Sequence, residues 1–199
     1  MRRLPLFPLP VVLFPGATMP LHIFEPRYRQ MMAHCLERDR RFGLVFHDPD
    51  RAGSFCADGQ IGCTAEILKF QPIPDGRSLV LVRGGERFRV EDGIESEALY
   101  YKGLVEDYAD QASDRSELLS RRRDVAALFG LVVDQLADAP PDLPPIDTAR
   151  EASFQIAQWV RVDAWWQHEL LSLRSEAVRL ERIHVLLSSV LEQVDEPGE

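Results

Sequence analysis

The side chains best suited to hold a metal or act as a nucleophile are His22, His34, His47, Cys35, Cys56 and Cys63. Zinc sites gather thiolates and imidazoles, commonly from short spacings such as Cys-x2-Cys or His-x3-His. No pair here has that spacing, and the adjacent His34 and Cys35 point to different sides of a helix. The spacing therefore predicts no metal site. It reads Cys63 as a core thiol, Cys35 as a helix-face thiol and Cys56 as an exposed loop thiol. Thiol catalysis would pair Cys56 or Cys35 with His47, yet nothing marks an oxyanion hole or a third, orienting group. A phosphate-cradling loop needs Gly-Lys followed by Ser or Thr. The two lysines, Lys69 and Lys102, follow Leu68 and Tyr101. No catalytic residue and no cofactor is predicted.

Other residue clusters suit recognition. In Glu25-Pro26-Arg27-Tyr28-Arg29, Arg27 and Tyr28 could hold a peptide carboxylate or carbonyl. Alternatively, Glu25 favours the positive end of a helix, Tyr28 packs inward and Arg27 ties the helix to a sheet. Leu13-Phe14-Pro15-Gly16 and Met19-Pro20-Leu21 place apolar side chains beside turns. Leu13, Leu21, Ile23 and Phe24 are expected in the core; Phe14 and Met19 are expected at the surface, where they would suit unfolded polypeptide. Trp165 and Trp166 lie about 100° apart on a helix, so one of them could face a partner. The run Arg121-Arg122-Arg123 reads as a solvated helix face.

These residues are carried by two kinds of element. Up to about residue 110, short β-rich runs punctuated by Gly and Pro dominate: a proline-rich opening strand, Met19–Phe24, Phe42–Phe46, Ile61–Lys69, Ser78–Val82, Arg87–Val90 and Leu99–Tyr108. Asp75-Gly76 marks a hairpin turn. One helix interrupts them, opened by Pro26 and carrying Tyr28, Met31, Met32, Cys35 and Leu36 on one face. Beyond residue 110, helical spacing takes over. A stripe of Leu118, Val125, Phe129, Val132 and Leu136 is followed by a Pro-rich connector. Thr148 and Glu151 fit a capping box for a helix through Val160. Helices from Asp163 and from Ser175 complete the chain. The expected domains are 1–110, β-rich, and 111–199, helical. The fold class is α+β: a small coiled sheet or open barrel with one inserted helix, then a C-terminal α-helical bundle.

Charge narrows the partners. The 199 residues carry a net charge of −9, and only two of the basic residues are lysine. Phosphate backbones would be repelled, so nucleic acid and anionic membrane surfaces are not expected partners. No apolar run reaches the ~20 residues that span a bilayer. An odd number of cysteines, three, suggests a reducing, cytoplasmic setting.

The order of motifs resembles a known family. Leu4-Pro5-Leu6-Phe7-Pro8-Leu9, Val12-Leu13-Phe14-Pro15-Gly16 and Pro20-Leu21-His22-Ile23-Phe24-Glu25-Pro26-Arg27-Tyr28 are similar to the opening of the Lon protease N-terminal domain. Further along, Gly62–Ile67, Pro74-Asp75-Gly76-Arg77, Gly85–Val90 and Gln167–Leu171 extend the likeness over nearly the whole chain. The resemblance implies a PUA-like β pseudobarrel followed by helices, and a non-catalytic role in recognising polypeptides that are unfolded or destined for degradation. Neither Lys69 nor Lys102 sits in that family's Ser–Lys peptidase motif. Polypeptide substrates, or a protease or chaperone served as an adaptor, are the implied partners. Self-association is left open, and RNA binding by a PUA-like fold is the reading that the charge disfavours.

Overall fold

The computed structural model describes residues 1–50, 58–135, 143–160 and 162–195, with residues 194 and 195 described by their backbone alone. Cys56, Leu136 and Pro140-Pro141 lie outside the described residues. Two compact units emerge: Met1–Ala109 with Val162–Ser172, and Asp110–Arg161 with Leu173–Glu199.

The first unit is built on six strands: β1 (Arg2–Leu9), β2 (Thr18–Ile23), β3 (Arg41–Phe46), β4 (Ile61–Pro72), β5 (Ser78–Gly93) and β6 (Tyr101–Asp107). They hydrogen-bond in the order β2-β5-β4-β3-β1-β6, and β6 returns to pair with β5. Five strands thus close into a ring, with β2 attached outside it. Among the described residues only β1 and β3 pair in parallel, and β2 and helix α1 (Pro26–Leu36) intervene between them in the chain. The ring is filled by Leu4, Leu6, Val45, Phe88, Val90 and Val105. Phe88 fits because Gly43 and Gly62 face it; a Cβ on either would come within 2.5 Å of the ring. Burying such an aromatic side chain is worth about 1.5–3 kcal/mol.

Two runs expected as separate strands, Ser78–Val82 and Arg87–Val90, are one continuous 16-residue strand. Gly84 and Gly85 do not break it. Gly84 instead pairs with Gly16 and Ala17, accepting from the Gly16 N–H and donating to the Ala17 carbonyl, both at 2.8 Å. The Asp75-Gly76 turn forms as expected, with Gly76 at φ +83 and its N–H bonded to the Ile73 carbonyl.

Helix α1 starts with Glu25 as N-cap and Pro26 in the first turn, and buries Tyr28, Met31, Met32 and Cys35. Its inner face meets β1 and β3 through Phe7, whose ring centroid is 4.0 Å from Tyr28 and 5.9 Å from Phe42. Arg40 closes the helix end at φ +59.

The second unit holds α2 (Arg115–Gln135), α3 (Ser153–Ala157) and α5 (Glu176–Asp195). Asp114 caps α2, its Oδ1 accepting from the Ser116 and Glu117 N–H groups, and the Ser116 hydroxyl, followed by these backbone bonds, lowers its pKa. Val125, Phe129 and Val132 of α2 are buried, as are Leu180, Ile183 and Leu187 of α5. The expected capping box does not form. Ala152, not Thr148, precedes α3, which spans five residues rather than reaching Val160. Glu151 still helps the start, accepting from the Phe154 N–H at 3.1 Å.

A single helical part from residue 111 onward is not what the structure divides. Helix α4 (Ala164–Ser172) belongs with the strands. Its apolar and polar side chains find their partners there: His168 Nε2 lies 3.3 Å from the Ile61 carbonyl, and Trp165 Nε1 donates to Asp48 at 2.8 Å.

Candidate functional site

Period-two alternation sets the two faces of β2. Leu21 and Ile23 point into the core. His22 therefore points outward, and so does Phe24, which follows at the strand end. Phe24 is 57% exposed and its ring lies 5.7 Å from that of His22. Across the ladder, His22 pairs with Leu79 and Pro20 with Leu81. Leu79 is 46% exposed. Leu81 lines up on the same face and is half-buried. Farther along, Arg83 and Glu66 form a 2.8 Å ion pair at the polar limit of the patch.

Beside this face runs a strand edge. Among the described residues β2 pairs with β5 alone, so its other edge is open. An open edge offers backbone donors and acceptors to any extended chain. Pro20 has no N–H and interrupts that row, a device that limits indefinite edge-to-edge growth. The patch and the edge together offer what extended polypeptide needs: apolar ground for side chains and peptide groups for its backbone.

The structure scatters the residues expected to bind peptide. Phe14 is inside, only 2% exposed, where a surface position was expected. Its carbonyl sits under Gly84 of β5, close enough that a Cβ at residue 84 would clash. That approach carries the ring inward. Met19 is half-buried. Phe24, expected in the core, is the residue that is exposed instead. Tyr28 is buried, and Arg27 stacks over its ring at 4.6 Å while bridging to Glu25 at 2.8 Å. The cluster is thus occupied with itself. Trp165 packs edge-on against Phe46 at 5.1 Å and fastens α4; Trp166 is half-buried.

Sequence reasoning did not find the buried charges. Arg87 donates to the Leu171 carbonyl at 2.6 Å, and the Tyr108 hydroxyl donates to the Ser172 carbonyl at 3.0 Å. Both satisfy carbonyls in the last turn of α4, where a cation also meets the negative end of the helix. In the second unit Arg179 is fully buried. It grips Asp110 with two bonds of 2.8 and 2.5 Å, Ser153 at 2.7 Å and the Leu173 carbonyl at 2.8 Å. Its guanidinium lies 4.2 Å from the Phe154 ring centroid. Arg122 is not part of a solvated face: it forms a two-bond pair with buried Glu176 at 2.8 and 2.6 Å. Glu176 in turn accepts from the Ala152 N–H. Burial raises the Glu151 carboxyl in spite of Ser153 and Arg179 beside it.

The thiols and imidazoles are poorly placed for chemistry. Burial pushes Cys35 and Cys63 up to about 12, so little thiolate exists near neutral pH. Burial also lowers His168. Among the described residues no group of three or more His, Cys, Asp or Glu could hold a metal ion, and no helix is long and apolar enough to cross a membrane.

A closed strand ring with a helical companion and an exposed apolar strand edge is the frame of a binding domain. The chain belongs to the family of ATP-dependent protease La (Lon) substrate-binding domains, whose model matches residues 3–189. It is 27% identical over 185 residues to a Lon protease of Xanthomonas oryzae pv. oryzae, covering 89% of this chain and 22% of that protein. It is 35% identical over 95 residues to the protein cereblon of Danio rerio, covering 46% of this chain and 22% of that one. The chain thus spans under a quarter of the length of these relatives. Among solved structures, a Lon N-terminal domain protein from Xanthomonas campestris shares the fold with a TM-score of 0.69 at 23% identity, covering 93% of this chain and 98% of that one. The N-terminal domain of a Mycobacterium avium complex Lon protease shares it with a TM-score of 0.66 at 16% identity, covering 94% and 98%.

Proposed function

We propose that this chain recognises extended, incompletely folded polypeptide through the outer face and open edge of β2. The observation that carries the reading is the exposure of Phe24 and Leu79 beside a strand edge with no other partner among the described residues. A peptide laid along that edge would bond to main-chain groups whatever its sequence, and would rest apolar side chains on Phe24, Leu79 and Pro20. Such a mode gives weak affinity for many segments rather than tight affinity for one. Membership in a substrate-binding family supports recognition as the role; Arg27, already paired, would contribute at the rim.

The test is a fluorescence titration of the full chain with a permanently unfolded, reduced and alkylated model protein. Saturable binding in the micromolar range is expected, weakened at least fivefold by Phe24→Ser with Leu79→Ser. Absence of binding at high micromolar concentration, or equal binding by the double variant, refutes the assignment. An adaptor role is a second reading. It draws on the helical unit, where Leu131 on α2 and Val178 and Val185 on α5 stand exposed. Retention of a protease or chaperone by wild-type chain, lost on Leu131→Ser but kept on Phe24→Ser, would favour it.

A further inference from the structure

On the first unit, away from the β2 face, a cavity of about 630 Å³ opens between the end of α1, the start of β1 and β3, and the segment joining β5 to β6. The elements hold it firmly. The Ile94 N–H donates to the Lys102 carbonyl at 2.8 Å, and the Leu99 N–H donates to Gln30 of α1 at 2.8 Å. Arg3 and Lys102 come from the paired strands β1 and β6, whose register sets Pro5 against Lys102 and Arg3 against Leu104. Antiparallel neighbours share a face, so both cations project on the same side of the ladder. Arg38 follows the end of α1, and Arg41 opens β3.

Four cations, Arg3, Arg38, Arg41 and Lys102, therefore line one concavity. On an acidic protein this is out of pattern. Elsewhere in the unit Arg2, Arg27, Arg77, Arg83 and Arg89 each hold a carboxylate. Among the described residues, no carboxylate oxygen lies at ion-pair distance from any of the cavity's four. Two carboxylates do line the cavity, Asp39 and Glu95. Asp39 spends one oxygen on the Arg41 N–H, at 3.3 Å. His34 sits on the wall, where burial first and then the fields of Arg38 and Lys102 hold its pKa down, against the opposing fields of Glu37 and Asp39.

Three guanidinium groups without a carboxylate partner among the described residues, with Lys102 over the Tyr100 ring at 5.3 Å, line one cavity and suit it to oxyanions, since each guanidinium offers a planar fork of donors. The volume falls in the range of small-ligand sites, roughly 300–1,000 Å³. A long nucleic acid would have to run on across a surface whose net charge is −9, and would be repelled there. A compact ligand would not, because screening confines the opposing field to about 8 Å at physiological salt.

We infer that the cavity lined by Arg3, Arg38, Arg41 and Lys102 is a binding site for a small, multiply charged oxyanion of the phosphoryl type. The site is separate from the β2 face, and its failure would leave the polypeptide reading untouched.

The experiment is isothermal titration of the full chain with inorganic tripolyphosphate at low ionic strength. One site per chain is expected, with affinity falling at least tenfold from 50 to 200 mM salt. Arg38→Glu with Lys102→Glu should weaken it at least tenfold; Arg123→Glu, on exposed helix surface of the other unit, should leave it within twofold. In the wild type, NMR of the His34 ring should shift along the same binding curve, a readout that requires no variant to fold. Lack of saturable heat, a still His34 signal, equal loss in Arg123→Glu, or binding of an acidic peptide without binding of tripolyphosphate would each overturn the assignment.

Discussion

Replacing Arg179 by Met tests whether the buried guanidinium holds the helical unit together. Methionine keeps most of the side-chain volume, so little cavity is left. What disappears are the bonds to Asp110, Ser153 and the Leu173 carbonyl, and the charge over Phe154. Removing one partner of a buried ion pair costs about 3–5 kcal/mol, because the other is stranded. Here the carboxylates that lose the guanidinium are Asp110 and Glu151, whose side chains are 31% and 32% exposed, and Glu151 keeps the Phe154 N–H. Water reaches them in part, which lowers the expected cost to about 2–4 kcal/mol. The comparison is Arg121→Met on the same unit. Arg121 pairs with Glu117 at 2.9 Å and Glu181 at 3.5 Å in the open, and exposed pairs are worth roughly 0–1 kcal/mol. Urea unfolding followed by far-ultraviolet circular dichroism reads the difference. With a urea dependence of about 1–3 kcal/mol per molar, R179M should lower the helical midpoint by roughly 0.7–4 M. A midpoint for R179M equal to that of R121M would refute the view that this cluster stabilises the unit.

Two further perturbations probe the strand unit. Gly84→Ala would push a methyl group into the Phe14 carbonyl oxygen, a backbone atom that cannot swing aside. A loss of about 3 kcal/mol or more is expected, with Phe14 partly released; unchanged thermal unfolding would show that the β5 backbone can shift there freely. The thiols set an alkaline limit. Cys35 and Cys63 sit near 12 when folded, against 9.0 when free. The unfolded chain therefore loses these protons first as pH rises. The stability they contribute is fully present below pH 9 and drains away between pH 9 and 12, at about 1.4 kcal/mol per thiol per pH unit. Unfolding at pH 8 and pH 10.5 should show that loss for wild type and a smaller one for Cys63→Ala. Equal losses would contradict the burial of the Cys63 thiol.

What could be read from the sequence follows from how local each signal is. The strand over Ile61–Ile67, the Asp75-Gly76 turn and the Tyr28-Met31-Met32-Cys35 stripe depend on near neighbours and form where expected, although Ile61–Ala65 is buried on both faces rather than on one. The family resemblance, carried by the opening motifs, led to the right fold. The site was harder. Phe14 lies inside, where Gly84 admits its backbone from some 70 residues away, and no local pattern encodes that approach. Phe24 had a usable signal: it shares parity with His22, opposite to Leu21 and Ile23. The arginines were ambiguous for another reason. Arg87 and Arg179 are buried, and Arg122 partly so, because partners from distant segments meet them, and the run Arg121-Arg122-Arg123 by itself looks like solvated charge.

The open edge of β2 is a consequence of how the ring closes. A strand has two edges, and one edge of β5 is taken by β4 from Ser78 to Arg89. The other is divided: β2 holds Ser78–Arg83, and β6 holds Phe88–Gly93. The change of partner falls at Gly84–Arg87. There Gly84 turns its backbone to Gly16 and Ala17, just before β2 begins. Because β6 also pairs with β1, it closes the ring, and β2 is left with β5 alone. Extending β6 along β5 to remove the edge would displace β2 and expose Val80 and Val82, which β2 helps to cover. The fold therefore cannot close its barrel and hide β2 at once. It keeps one strand exposed, with Pro20 on that strand and Phe24 just past its end, beside the exposed Leu79 of β5.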